Sequence, residues 1–408
     1  MKYAIIIADG AADYKLPELG GKTPLEAANK PVIDSLVKRG AMGLAKTVPD
    51  GYSPGSDVAN MSILGYDPDL FFPGGRGVIE AASRGIKVAT DEIPMRANII
   101  TVKDGKIIDY SADNIRDEES AQLMDTANEF LSNEEIKFYP GVSYRNLAVI
   151  KDAKLSPGDL EFFPPHDHPN EPVSNWLCRG TNEIGDAWAQ KLNAIMLKSI
   201  DLFSGHTLNR KRMMEKRPPA NMLWFWGPGK KKREMPLIPQ RFGKEGSVIT
   251  GIDLIRGLGR LAGLKIKNVP GATAYFNTDY EGKADAAIEC LDSGDDFVVV
   301  HVEAPDEAGH EGKLEEKVKA IENIDSRLVS RIMQKMGKDD FRIGILPDHY
   351  TPIPLRTHAM GDVPFVISGS GVEADSTESF TEDWATKGEY GSIKGYRFIE
   401  KLFGNDLD

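Results

Sequence analysis

Carboxylates and imidazoles recur at three points of this chain in the pattern of metal ligands. "EAPDEAGH" (303–310) places Asp306 and His310 four residues apart, on one face of a helical turn. "LPDHYTP" (346–352) sets Asp348 directly before His349, and "RTHAMGDVP" (356–364) adds His358. Asp9 ends the apolar N-terminal run "YAIIIA". Carboxylates brought together raise one another's pKa unless cations neutralise them. A mixed set of oxygen and imidazole ligands suits Mn²⁺ or Zn²⁺, with Mg²⁺ as a third option. Asp9, Asp306, His310, Asp348, His349 and His358 are enough for two ions.

The matching nucleophile lies in "SPGSDVANMSILGYDP" (53–68). Pro54-Gly55-Ser56-Asp57 reads as a turn into a helix, with Ser56 or Asp57 as its N-cap. A serine hydroxyl is a weak nucleophile at neutral pH. Coordination to a divalent ion lowers its pKa, and a second ion can stabilise the opposing phosphoryl oxygens. Backbone N–H groups after Ser56, opening a helix, add anion stabilisation.

These groups need elements to gather them. Four apolar runs read as buried parallel strands: 3–8, 296–302, 341–346 and 363–368. Helical patterns fall between them, at 251–264, 284–291 and 313–336. The alternation predicts an α/β domain with a mostly parallel sheet. Ligands of such a sheet bind beyond the carboxyl ends of the strands. Asp9, Asp306 and Asp348 each lie just past an apolar run, so one sheet edge would collect all three. Residues 85–217 read differently, with a hairpin turning at Asp104-Gly105, a strand at "RNLAVIKDA" and a long helix at about 181–203. We read an α+β domain inserted at 85–217 into a catalytic domain formed by 1–84 and 218–408.

Composition bounds the partners. The 408 residues carry a net charge of −12, with 41% hydrophobic and 27% charged residues. This is a globular composition with no general affinity for nucleic acid or an anionic membrane surface. No run meets the length of a membrane span or a signal segment. Cys178 and Cys290 form neither a disulfide framework nor a CxxC site, which predicts a reducing, cytoplasmic setting. A P-loop is absent, against an ordinary nucleotide kinase. The oligomeric state is left open.

The same residues, in this order, resemble the alkaline phosphatase superfamily of two-metal phosphotransferases, and more closely its cofactor-independent phosphoglycerate mutases of the archaeal type. The similarity runs through "IIIADGAAD", "LGGKTPLEAANKPVIDSL", "PGSDVANMSILGYDP", "GRGVIEAAS", "PGATAYFNTDYEGKADAAIE", "HVEAPDEAGH", "LPDH" and "THAMGDVPFVISG". It implies an alkaline-phosphatase-like three-layer domain with a lid. It further implies a small anionic phosphorylated substrate, two divalent metal ions and no requirement for 2,3-bisphosphoglycerate. Ser56 would be the phosphorylated nucleophile, and Lys283 would touch the transferred phosphoryl group. Asp9, Ser56, Asp348 and His349 would hold one ion, and Asp306, His310 and His358 the other. The lid would offer Arg145, His166, Asp167, His168 and the basic cluster Arg210, Lys211 and Arg212 to the substrate. Departures are Asn114 in "SADNI", where the branch carries a basic residue, and Trp224 and Trp226 at positions that are usually aliphatic. They leave a homoserine kinase-like phosphotransferase or a phosphomonoester hydrolase as alternative readings.

Overall fold

The β-branched runs of the sequence become the middle of an eight-stranded sheet. In the computed structural model, which describes residues 1–336 and 340–404, the strand order is Lys265–Ile266, Gly246–Ile249, Phe297–Val302, Lys2–Ala8, Phe341–Leu346, Val363–Gly369, Gly40–Lys46 and Ser392–Lys394. Ile5, Val299 and Ile343 are buried because helices cover both faces, as continuous apolar strands require. The register sets the site. Ala8 pairs with Val302 and Ile7 with Leu346, so Asp9, Glu303 and Asp348 all emerge at one edge.

The expected parallel direction of the 363–368 strand is corrected. Val363–Gly369 runs antiparallel to both neighbours. Its connection from the 341–346 strand contains no crossover helix, and an antiparallel return needs none. The consequence is functional, because His358, just before this strand, lands at the edge that carries Asp348. The helical pattern at 313–336 holds as one run in three segments: Leu314–Asn323, a π-helical Ile324–Val329 and Ser330–Met336.

The chain divides into two units, Met1–Phe72 with Met235–Asp408, and Pro73–Glu234. The sequence reading set the inserted segment at 85–217. The wider boundary follows from pairing: Met222–Trp226 joins the Glu92–Lys103 strand, antiparallel. That long strand also pairs with Lys106–Asp109 and Arg145–Lys151, and the latter pairs with Ile136–Val142. Helix Glu183–Ser204 packs its Trp188, Leu192, Met196 and Phe203 side into this unit's core. Among the described residues, no helix is long and apolar enough to cross a membrane.

Arg212, expected at the substrate, is a strut of the inserted unit. It is fully buried, and its guanidinium donates to Glu119 Oε2 at 2.7 Å, the Ala112 carbonyl at 2.6 Å and the Pro218 carbonyl at 3.0 Å. Each of its three nitrogens donates to the protein. Arg212→Met should therefore lower stability by about 3 kcal/mol, the scale for breaking a buried charged network. The check is a urea titration with kinetics alongside: a fall in the unfolding midpoint with an unchanged substrate KM is expected.

Candidate metal centre

Ser56 is the first residue of helix Ser56–Ile63, with Gly55 in the N-cap position. The helix start is thus one residue earlier than a Ser56 cap would give, and Ser56 is nearly buried. Its Oγ lies 3.1 Å from His349 Nε2. That nitrogen is 3.5 Å from both Asp9 Oδ1 and Asp348 Oδ2. Beside this group, His310 Nε2 is 3.3 Å from Asp306 Oδ2, and His358 Nε2 is 3.5 Å from Asp306 Oδ1. The sheet edge thus brings together Asp9, Ser56, Asp306, His310, Asp348, His349 and His358.

Hydrogen bonding fixes which ring nitrogens face inward. His310 Nδ1 lies 3.1 Å from the Arg356 carbonyl, and His358 Nδ1 lies 3.3 Å from the Pro54 carbonyl. A carbonyl only accepts, so both Nδ1 atoms carry the proton. Once a cation takes the place of the Nε2 protons, each Nε2 presents it a lone pair. These two Nε2 atoms are 3.0 Å apart. Two ring nitrogens that close need a positive charge between them, a shared proton or the cation that displaces it. Asp9 states the same need from the oxygen side: it is buried, and its Oδ1 has no hydrogen-bond partner. Burial first, then the charges of Asp348 and Asp306, push its carboxyl well above the usual range. For Asp306 burial acts in the same sense, but the bonds from His310 and His358 outweigh it and hold the carboxyl low. His310 is raised to about 9, chiefly by Asp306. The donor set and its unmet acceptors fit divalent cations.

A supporting layer surrounds the ligands, and most of it escaped the sequence reading. Asn60, one turn after Ser56, donates its amide to Asp348 Oδ2 at 2.7 Å and to the Ser56 carbonyl at 2.9 Å. The i, i+4 spacing was its only signal. His301 had read as part of an apolar strand. It is fully buried, with Nε2 at 3.5 Å from Asp9 Oδ2 and Nδ1 at 3.3 Å from Glu303 Oε1. Burial disfavours its charged form, yet Asp348 and Glu303 prevail and raise it to about 8.

Lys283 is placed differently from its expected phosphoryl contact. It is fully buried, and its Nζ donates to Glu303 Oε2 and to the His301 carbonyl, each at 2.7 Å. Its helix neighbours Tyr280, Ala284 and Ala287 are buried with it, which is the spacing of an inward face. The ammonium supports Glu303 instead of standing free for substrate.

In the inserted unit, Arg145 is exposed and stacks on Tyr144 at 5.0 Å, and Arg210 is exposed on helix Thr207–Met214. His166 and Asp167 are adjacent and exposed, while His168 stacks on Trp176 at 3.4 Å between ring centroids.

A mostly parallel α/β sheet thus gathers, around one serine, a donor set that could hold divalent metal. The sequence profile described as 2,3-bisphosphoglycerate-independent phosphoglycerate mutase matches residues 37–209. A relative from Methanosarcina barkeri with that same name is 45% identical over 402 residues, covering 98% of each chain. Among solved structures, a cofactor-independent phosphoglycerate mutase from Thermoplasma acidophilum superposes with a TM-score of 0.70 at 27% identity, covering 99% of each chain. A protein from Pyrococcus horikoshii gives 0.80 at 27% identity, with 100% of this chain and 98% of that one covered. The chain belongs to the 2,3-bisphosphoglycerate-independent phosphoglycerate mutase family.

One half-buried acid gives a pH-dependent prediction. Glu382 Oε1 accepts from the Asp13 backbone N–H at 3.2 Å, and Oε2 accepts from the Thr23 hydroxyl at 2.7 Å. Burial pushes its carboxyl from 4.5 up to about 7. An acid raised on folding binds its proton more tightly in the native state. Its ionisation therefore removes stability as pH climbs from 4.5 to about 7, and the penalty is constant above that. Glu382→Gln can keep both contacts, because Thr23 Oγ1 can accept from the new amide. Relative to wild type, the variant should gain about 2–3 kcal/mol between pH 4.5 and 8. Urea midpoints measured across that range give the answer; a difference that does not vary with pH would contradict it.

Proposed function

We propose that this protein interconverts 3-phosphoglycerate and 2-phosphoglycerate through a phosphoserine on Ser56, without added 2,3-bisphosphoglycerate. The reading is carried by Ser56 Oγ at a helix start, 3.1 Å from His349 and within a paired set of carboxylates and imidazoles. Asp9, Ser56, Asp348 and His349 would hold one divalent ion, and Asp306, His310 and His358 the other. Mn²⁺ suits the mixed donors, with Mg²⁺ or Zn²⁺ as alternatives. Bound there, the ions would supply Lewis acidity to the serine hydroxyl and charge neutralisation to the phosphoryl oxygens.

The chain's own residues do the rest. Ser56 Oγ forms its bond to phosphorus as the bond to the substrate's 3-oxygen breaks, and the serine proton ends on the departing glycerate. The glycerate turns, its 2-hydroxyl takes the phosphoryl group, and Ser56 recovers a proton. Backbone N–H groups of the first turn of helix Ser56–Ile63 stabilise negative charge on the phosphoryl oxygens. Asn60 holds Asp348 against the serine turn throughout. Transfer of this kind depends on position and charge, so water has to be kept from the phosphoserine. The inserted unit serves as that lid, with Arg145, Arg210, His166, Asp167 and His168 as its groups for a small anionic substrate. The cytoplasm, reducing and rich in glycolytic substrates, is the compartment this reading implies. No observation favours the homoserine kinase-like or hydrolase alternative.

The test uses purified, Mn²⁺-loaded protein and an assay for 2-phosphoglycerate. Wild type should convert 3-phosphoglycerate with no bisphosphoglycerate present. Ser56→Ala should lose roughly a thousand-fold or more, as removal of a nucleophile does. Retention of activity within tenfold in Ser56→Ala would refute the phosphoserine route.

A further inference from the structure

Thr351 is fully buried two residues past His349, and its hydroxyl meets both halves of the centre. Oγ1 lies 2.5 Å from Asp306 Oδ1 and 3.2 Å from His349 Nδ1. A hydroxyl has one proton to give. The Asp306 carboxylate can only accept, so that proton goes to Asp306. Oγ1 must then receive the Nδ1 proton of His349. This direction leaves the lone pair of His349 on Nε2, the atom that faces Ser56, Asp9 and Asp348. His310 and His358 are oriented by backbone carbonyls, which no side-chain replacement removes. His349 is oriented by a side chain.

The surroundings are shaped to admit this threonine. A Cβ on Gly10 would stand 2.4 Å from Thr351 Oγ1, and one on Gly309 would stand 2.5 Å from the Thr351 carbonyl oxygen. That carbonyl accepts from Lys317 Nζ at 2.8 Å. Lys317 is itself fully buried and paired with Asp13 at 2.7 Å. A buried ion pair thus fixes the backbone of the residue whose hydroxyl fixes the ligands.

We propose that Thr351 is a positioning residue that sets the tautomer and ring orientation of His349 and ties it to Asp306, so that the two cation sites assemble as one unit. The inference rests on the metal reading given above. Partners of this kind cost 10–100-fold in metal affinity when removed.

The experiment strips the full-length protein of metal and titrates it with Mn²⁺, reading free ion by electron paramagnetic resonance. Thr351→Val keeps the shape and removes the hydroxyl; Thr351→Ser keeps the hydroxyl. The valine variant should bind Mn²⁺ roughly 10–100-fold more weakly, and the serine variant within about threefold of wild type. Imidazole ¹⁵N shifts of the stripped protein should show His349 protonated on Nδ1 in wild type and Thr351→Ser, with that preference lost in Thr351→Val. If valine impairs folding, judged by thermal unfolding, Thr351→Ala removes the same hydroxyl with less crowding. Wild-type Mn²⁺ affinity and an unchanged His349 tautomer in the variants lacking the hydroxyl would overturn the inference. Asp306→Asn separates that failure from failure of the underlying reading. If Asp306→Asn weakens Mn²⁺ binding while Thr351→Val does not, only the role of Thr351 falls. If neither change alters binding, the metal reading falls with it.

Discussion

Everything at the sheet edge follows from the cost of burying like charges together. Asp9, Asp306 and Asp348 are all removed from water within one cluster. His301 stands beside one oxygen of Asp9, but among the described residues Oδ1 is left without a donor. Imidazoles line the same space with their Nε2 atoms turned inward. A fold that holds such a group in register stores a strong affinity for positive charge, and the strand ends are the rigid frame that keeps it. A serine held 3.1 Å from one of those imidazoles inherits this field.

The second layer explains why the frame does not relax. Each inward nitrogen is enforced from behind by an acceptor on its Nδ1 side. Two buried lysines, Lys283 and Lys317, neutralise Glu303 and Asp13 one step behind the ligands. The positive charge of both lysines is thereby spent on the supports, and the centre keeps its demand for a cation. Burial of both lysines also means that their removal would act through the supports and not through substrate.

Much of the site could be read from the chain because each metal-ligand segment directly follows or precedes an apolar strand. Asp9, Asp306, Asp348 and His349 were visible as polar residues at the ends of β-branched runs. His358 was visible too, but its arrival at the same edge depends on the antiparallel return of Val363–Gly369, which hydrophobicity alone does not encode. Charge was the poorer guide. Lys283, which the resemblance set against the phosphoryl group, and Arg212, taken from a basic cluster, are both fully buried and bonded to protein acceptors. His301 and Thr351 failed in the opposite direction, since one sat in a core strand and the other in a turn. The second unit, Pro73–Glu234, extends beyond 85–217 for a similar reason. The partner of strand Met222–Trp226 lies more than a hundred residues earlier, beyond the reach of local pattern.

The central claim is that this cluster is completed by two divalent cations. Diffraction from crystals grown with Mn²⁺, recorded on both sides of the manganese absorption edge, tests it most directly. The account predicts two anomalous peaks per chain, one bounded by Asp9, Ser56, Asp348 and His349 and the other by Asp306, His310 and His358. A single peak, or manganese bound away from these side chains, would contradict it.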